Sequence, residues 1–292
     1  MQRVAVRLLC AVALTSSIFV AAPGRAVDGV LEINDASVVG AGGYPFIIGA
    51  SASYVLTGSL TPPPGASGIV VGAPNVEIDL NGFSITTPGG AGSVGIDAPG
   101  LDGLSVHDGT ISGFATGIAA GADARILRTH LTGNATGIGG ASLCLIIENT
   151  VSGNTSIGIQ AVSCKIENNV VRDNALGIAG ENNLIIHNQI MGNTAGGILL
   201  LPAGGNIVDN VISLNAFGIS DLLVAPAPVP PPIGMPRATS IIGNTISMTT
   251  GGPGISVYFP ALITDNSITG AAADGIVCGA ACSVRGNSVE SN

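Results

Sequence analysis

The chain has 292 residues, 46% of them hydrophobic and only 9% charged, with a formal net charge of −9. That balance excludes a disordered, highly solvated chain and makes nucleic acid and anionic membrane surfaces poor partners. Glycine supplies 44 residues, tryptophan none, tyrosine three and phenylalanine six, which argues against an ordinary helical or α/β enzyme and against an aromatic-lined pocket.

At the N-terminus, Arg3 and Arg7 precede an apolar run from Leu8 to Ala22, and Gly24-Arg25-Ala26 offers small residues where a signal peptidase cuts. The run is short for a membrane span of about 20 residues and is broken by Thr15, Ser16 and Ser17. Residues 1–26 are therefore expected to be a signal peptide. Its removal takes three of nine basic groups and none of eighteen acidic ones, leaving a mature chain of charge −12. No later segment is long and apolar enough to span a bilayer. The mature protein is expected to be soluble, without a transmembrane segment, and extracytoplasmic: secreted, periplasmic or at the cell surface.

Residues 27–60 are expected to form an N-terminal cap over the open strand edge of the first coil. From there a repeat dominates. A Gly-Ile pair begins at Gly95, Gly117, Gly137, Gly158, Gly177, Gly197, Gly218, Gly254 and Gly275, with steps of 19 to 22 residues except for one of 36. A second column reads Asn, any residue, aliphatic: Asn149, Asn168, Asn188, Asn210, Asn244, Asn266 and Asn287. Two columns in phase are hard to obtain by chance, even in a glycine-rich chain. A step of about 20 residues is too short for paired helices, and the local apolar pattern has period 2, not 3.6. The pattern fits an all-β, single-stranded right-handed parallel β-helix over 61–292, a solenoid of about ten coils with three short strands per coil. Inward Ile, Val and Leu would stack at about 4.8 Å per coil. Glycine at the corners would allow positive φ, and the Asn amides would bond from coil to coil. The long step holds six prolines between Pro226 and Pro236 and is expected to be a Pro-rich loop at about 221–238.

These columns resemble the right-handed parallel β-helix repeat family of the pectin-lyase-like class. The runs LEINDASVVG, SYVLTGSLTPP and NVEIDLNGFSI resemble the entry into the helix in secreted bacterial members without an assigned activity. The resemblance covers some three quarters of the chain from about Asn75 and implies the fold. It does not imply a reaction, because the architecture hosts lyases, hydrolases, epimerases, adhesins and inert scaffolds. The stacked acids of the pectate lyases are missing here, as are the Asn-Thr-Asp, Gly-His-Gly and Asp-Pro-His-Asp motifs of related enzymes.

Ionisable residues gather immediately before the Asn column: Asp108, Arg128, Glu148, Glu167, His187, Asp209 and Asp265. If Glu148 and Glu167 stand one rung apart, their separation is close to the roughly 5 Å used by retaining glycosidases. His187 would add a base, and Arg128 and Asp209 would be binding groups. The competing reading is that a solvent-exposed corner needs charge only for solubility, with salt bridges worth about 0–1 kcal/mol each. The mature chain has four cysteines, which allow three pairings; the repeat favours Cys144 with Cys164 and Cys278 with Cys282. Three histidines and no Cys-x-x-Cys argue against a metal site, and no cofactor is expected. The function read from the sequence is an exported scaffold, structural or facing a polysaccharide or cell-envelope glycan. The alternative is a polysaccharide lyase or glycoside hydrolase using Glu148, Glu167 and His187. An uncapped last coil would permit self-association.

Overall fold

The computed structural model describes residues 29–90, 92–201, 204–221, 239–279 and 281–290; the signal peptide expected over 1–26 and nearly all of the Pro-rich loop lie outside them. Each coil is three short strands, as in Thr136–Ser142, Leu145–Ile147 and Thr150–Ser152, succeeded one coil later by Ile157–Val162, Lys165–Glu167 and Val170–Arg172. Equivalent strands pair in parallel, in an 11-stranded sheet carrying the Gly-Ile strands and a 20-stranded sheet carrying the other two legs. The architecture is a right-handed parallel β-helix.

The period-2 pattern buries one side of every strand. Ile96, Ile118, Ile138, Ile159, Ile178, Ile198, Ile219, Ile255 and Ile276 are register partners from coil to coil. A second stripe runs through Val106, Ile126, Ile146 and Ile166, and a third through Ile111, Leu131, Val151 and Val171, all fully buried. Burying each such side chain contributes about 1.5–3 kcal/mol, and the stripes meet in a core that runs the length of the rod.

Two features differ from the expectation. The glycines of the Gly-Ile pairs do not adopt positive φ. They are needed because a Cβ there would strike the next coil: on Gly117 it would lie 2.6 Å from the Gly137 carbonyl oxygen, and on Gly197 2.6 Å from that of Gly218. Left-handed corners are taken by other glycines, as expected, in a recurring column of Gly113, Gly133, Gly153, Gly192 and Gly270, and also by non-glycine residues such as Asp108, Glu148, Asn168 and His187. The Asn column also shifts by one residue in one coil. Asn169, not Asn168, joins the buried ladder, accepting from the Asn149 backbone N–H at 2.9 Å and donating its own to Asn188 Oδ1 at 2.9 Å. Val171 accordingly points inward, and Val170 and Arg172 outward.

A second buried asparagine ladder, which the two sequence columns did not contain, runs through Asn134, Asn154, Asn174, Asn193 and Asn215 at 2.9–3.0 Å per step. Its signal was present: each of these residues stands three or four positions before a Gly-Ile pair.

Within the expected cap, the short helix Asp35–Gly40 lays Val38 into the core, capped by Asn34 and Ser37. Coiling has already begun there, since Leu31–Ile33 pairs with Ser53–Leu56 and Phe46–Ile48 with Ile69–Val71. At the other end, Val284 and Val289 are 47% and 45% exposed, whereas their register partners Ile263 and Ile268 are fully buried. Cys144–Cys164 joins adjacent coils at a Cα separation of 4.5 Å, and Cys278–Cys282 closes a loop at the last described coil with 6.3 Å. Among the described residues no helix is long and apolar enough to cross a membrane.

Candidate functional site

The 20-stranded sheet turns one face outward, and on its early coils that face is polar. Parallel register places Ser53, Glu77, Ser105 and Arg125 in one outward column and Asp79 beside His107 in the next. The strand Ser105–Ser112 bends at Asp108, whose φ of +60° turns its carboxylate back toward His107.

The result is a connected ionic network. His107 Nε2 lies 3.3 Å from Glu77 Oε1, and His107 Nδ1 lies 2.9 Å from Asp108 Oδ2 and 3.5 Å from Asp79 Oδ1. Arg128 donates from Nε and from a terminal nitrogen to both Asp108 oxygens at 2.7 Å. The Ser53 hydroxyl donates to Glu77 Oε2 at 2.7 Å. The forked bond from Arg128, with help from His107, holds the Asp108 carboxyl down to about 2, against a smaller opposing effect of burial. Glu77 is likewise held below the usual carboxylate range, chiefly by the Ser53 hydroxyl and then by His107.

Two open depressions flank this network and share Glu77 in their walls. One, of about 350 Å³, is bounded by Ser53, Tyr54, Asp79 and His107; the other, of about 460 Å³, by Asn75, Ser105, Asp123 and Arg125. Asp79, His107 and Asp108 each bring one ligand-type atom within 4.8 Å of the others. The guanidinium of Arg128 already spans both Asp108 oxygens, so the charges of the cluster answer one another.

The residues singled out in the sequence lie further along. Glu148 and Glu167 are not equivalent: Glu167 pairs with Ile147 and Ile186 on the sheet, while Glu148 occupies the left-handed corner column with Asn168 and His187. Glu167 makes an ion pair with Lys165 at 2.6 Å. His187 lies between Glu167 and Asp209, at 4.0 and 3.8 Å. The structure thus brings Glu167, His187 and Asp209 together, leaves Glu148 offset by one residue, and commits Arg128 to Asp108, away from His187 and its partners. Glu77, Asp79 and His107 were missed, because their coils precede the first clear Asn of the repeat and could not be aligned by it.

The family comparison agrees with the coil geometry. Residues 137–292, more than half of the chain, match the family model described as "Right handed beta helix region". No curated protein matches the sequence. Among solved structures, the chain is similar to the mannuronan C-5 epimerase A-module of Azotobacter vinelandii, with 13% identity over 88% of this chain and 89% of that one and a TM-score of 0.45. It is similar to the Dettilon tailspike protein, with 15% identity over 88% and 60% and a TM-score of 0.48. It is also similar to a periplasmic alginate epimerase, with 13% identity over 90% and 83% and a TM-score of 0.42. With its stacked coils and its matched repeats, this chain belongs to the right-handed β-helix region family.

Proposed function

We propose that the protein is an exported β-helix scaffold that presents the outer face around Glu77 to a cell-envelope polysaccharide and holds it without turning it over. The observation that carries this reading is the pair of open depressions sharing Glu77, walled by carboxylates, Asn75, Ser53, Ser105 and Arg125. Planar polar groups of this kind form directional hydrogen bonds to sugar hydroxyls and do not require aromatic stacking. Catalysis is less well supported. Asp108 and Glu77 are both held in the ionised form, so neither is a proton donor near neutral pH. Burial pushes the Asp97 carboxyl up, but Asp97 stands on the Gly-Ile sheet and not on the sheet that bears the network.

The test is binding to a panel of neutral and uronate polysaccharides by affinity electrophoresis, with the same polymers assayed for unsaturated products and new reducing ends. Binding that falls at least about tenfold (1.4 kcal/mol) in Glu77→Gln or Arg125→Ala, with no product formed, is expected. Product formation abolished by Glu167→Gln or His187→Asn would replace this reading with the lyase or hydrolase one.

A further inference from the structure

Beyond the polar patch, one column of the same outward sheet face becomes aliphatic. One column of register partners runs Asp79, His107, Leu127, Ile147, Glu167, Ile186, Val208, Ile242, Thr264 and Arg285. Its middle is a flat strip of Leu127, Ile147, Ile186, Val208 and Ile242, broken only by Glu167, which is neutralised within its own strand by Lys165. The adjacent outward column interleaves aliphatic with polar residues, running Arg125, Leu145, Lys165, Leu184, Asn206, Ser240 and Leu262. These side chains are half-buried or exposed although they point away from the core. The aliphatic middle of this strip offers a sugar neither hydrogen bonds nor aromatic rings, so it has no part in holding a polysaccharide; its Asp79–His107 end walls one of the depressions at Glu77, so association and polysaccharide binding compete there.

We propose that this strip is an isologous interface that takes a second copy of the same chain, packed antiparallel about a two-fold axis between the Glu167 and Ile186 rungs. Three arguments select that occupant. The aliphatic side chains recur at the coil spacing of about 4.8 Å, and a partner stays in step over many coils only if it has the same rise, as another copy has. A two-fold at that point places Leu127 opposite Ile242 and Ile147 opposite Val208, sets the Lys165–Glu167 ion pair against Leu184 and Ile186 at the centre, and brings the acidic Asp79 end opposite Arg285, so that aliphatic residues of this column meet on either side of an internally neutralised pair and opposite charges meet at the rim. Nine steps give a strip about 43 Å long; at a width of about 15 Å it buries roughly 650 Å² per copy and roughly 1,300 Å² in all, within the range of stable interfaces.

Sedimentation equilibrium of the purified protein over a range of concentrations tests this, with circular dichroism and melting curves confirming that each variant is folded. A dimer is expected for the unaltered protein. Ile147→Lys and Val208→Lys should each weaken it at least about tenfold, and Gln160→Lys, on the other sheet, should leave it unchanged. Arg285→Glu should also weaken it, and adding Asp79→Lys should restore it. A monomer at every concentration, or a dimer that survives Ile147→Lys and Val208→Lys, overturns the proposal. Failure of the charge exchange to restore association overturns the antiparallel arrangement.

Discussion

Gly137 and Gly158 occupy equivalent places on successive coils, and a Cβ on Gly137 would lie 2.5 Å from the Gly158 carbonyl oxygen. The same holds one coil on, where a Cβ on Gly158 would meet the Gly177 carbonyl oxygen at 2.7 Å. Both obstacles are backbone, which cannot swing aside. Gly158→Ala is therefore expected to force two coils apart and to cost about 1–3 kcal/mol. Gly139→Ala is the control: it lies in the same strand region, has no positive φ, and its nearest obstacle is a Thr116 methyl at 3.5 Å. It should unfold in urea within about 1 kcal/mol of the parent. Equal midpoints for the two variants would show that coil spacing does not depend on these glycines.

The doublets Asn168-Asn169 and Val170-Val171 give the second prediction. Asn169 is 1% exposed, and its side-chain nitrogen donates to the Ile146 and Glu167 carbonyls and to Asn188 Oδ1. Replacing it with Leu, of similar shape, strands those acceptors and the Asn149 N–H, a loss of about 1–3 kcal/mol per buried group left without a partner. Asn168 lies outside the ladder, with φ +55°, so Asn168→Gly should be neutral or slightly stabilising. Urea midpoints for the two variants decide between the ladders; a larger loss at Asn168 would restore the register read from sequence.

These doublets also show how far the sequence could be read. The Ile stripe was legible because one residue type recurs at one phase, and it fixed the architecture, the coil length and both disulfides. The register within a coil was legible only where neighbouring residues differ. Across Asn-Asn-Val-Val either choice satisfies the pattern, and the wrong one moved Glu167 from the sheet column of Ile147 and Ile186 to the corner of Glu148. The network around His107 was hidden for a different reason. Asp108 and Arg128, 20 residues apart, already shared the ionisable corner column, but Glu77 and Asp79 lie a step of 28 residues before Ser105 and His107, so the repeat period does not superimpose them on the rest.

The two disulfides should differ in weight. Cys144–Cys164 is buried, spans 20 residues and ties two central coils together. In the chain-entropy picture a loop of that size is worth about 3 kcal/mol, and Cys144→Ser with Cys164→Ser should lower the melting temperature by several degrees. Cys278–Cys282 encloses only four steps of chain beside coils whose Val284 and Val289 are already exposed. Its removal should chiefly raise amide exchange in the strands Cys282–Arg285 and Ser288–Glu290, with little change in the main transition. Melting curves and hydrogen exchange on both double variants separate these outcomes; equal effects on the main transition would show that the last coil folds as one unit with the rest.

Acid should loosen the early coils first. Asp108 is held down to about 2 by Arg128, and Glu77 is held low by Ser53 and His107, so both carboxyls bind protons more weakly folded than unfolded. A group with a depressed folded-state pKa contributes stability that is complete above its unfolded value of about 4 and disappears as pH falls through the folded value. The window for Asp108 is therefore about pH 4 down to 2. Because its side chain is 41% exposed, salt should shrink the effect. Asp108→Asn keeps a residue that tolerates the left-handed corner at φ +60° but abolishes the charge. That variant should be less stable than the parent near neutral pH, and its stability should fall less steeply between about pH 4 and 2. Parallel stability curves for the two proteins through that interval would show that the Arg128–Asp108 pair contributes nothing to holding the early coils together.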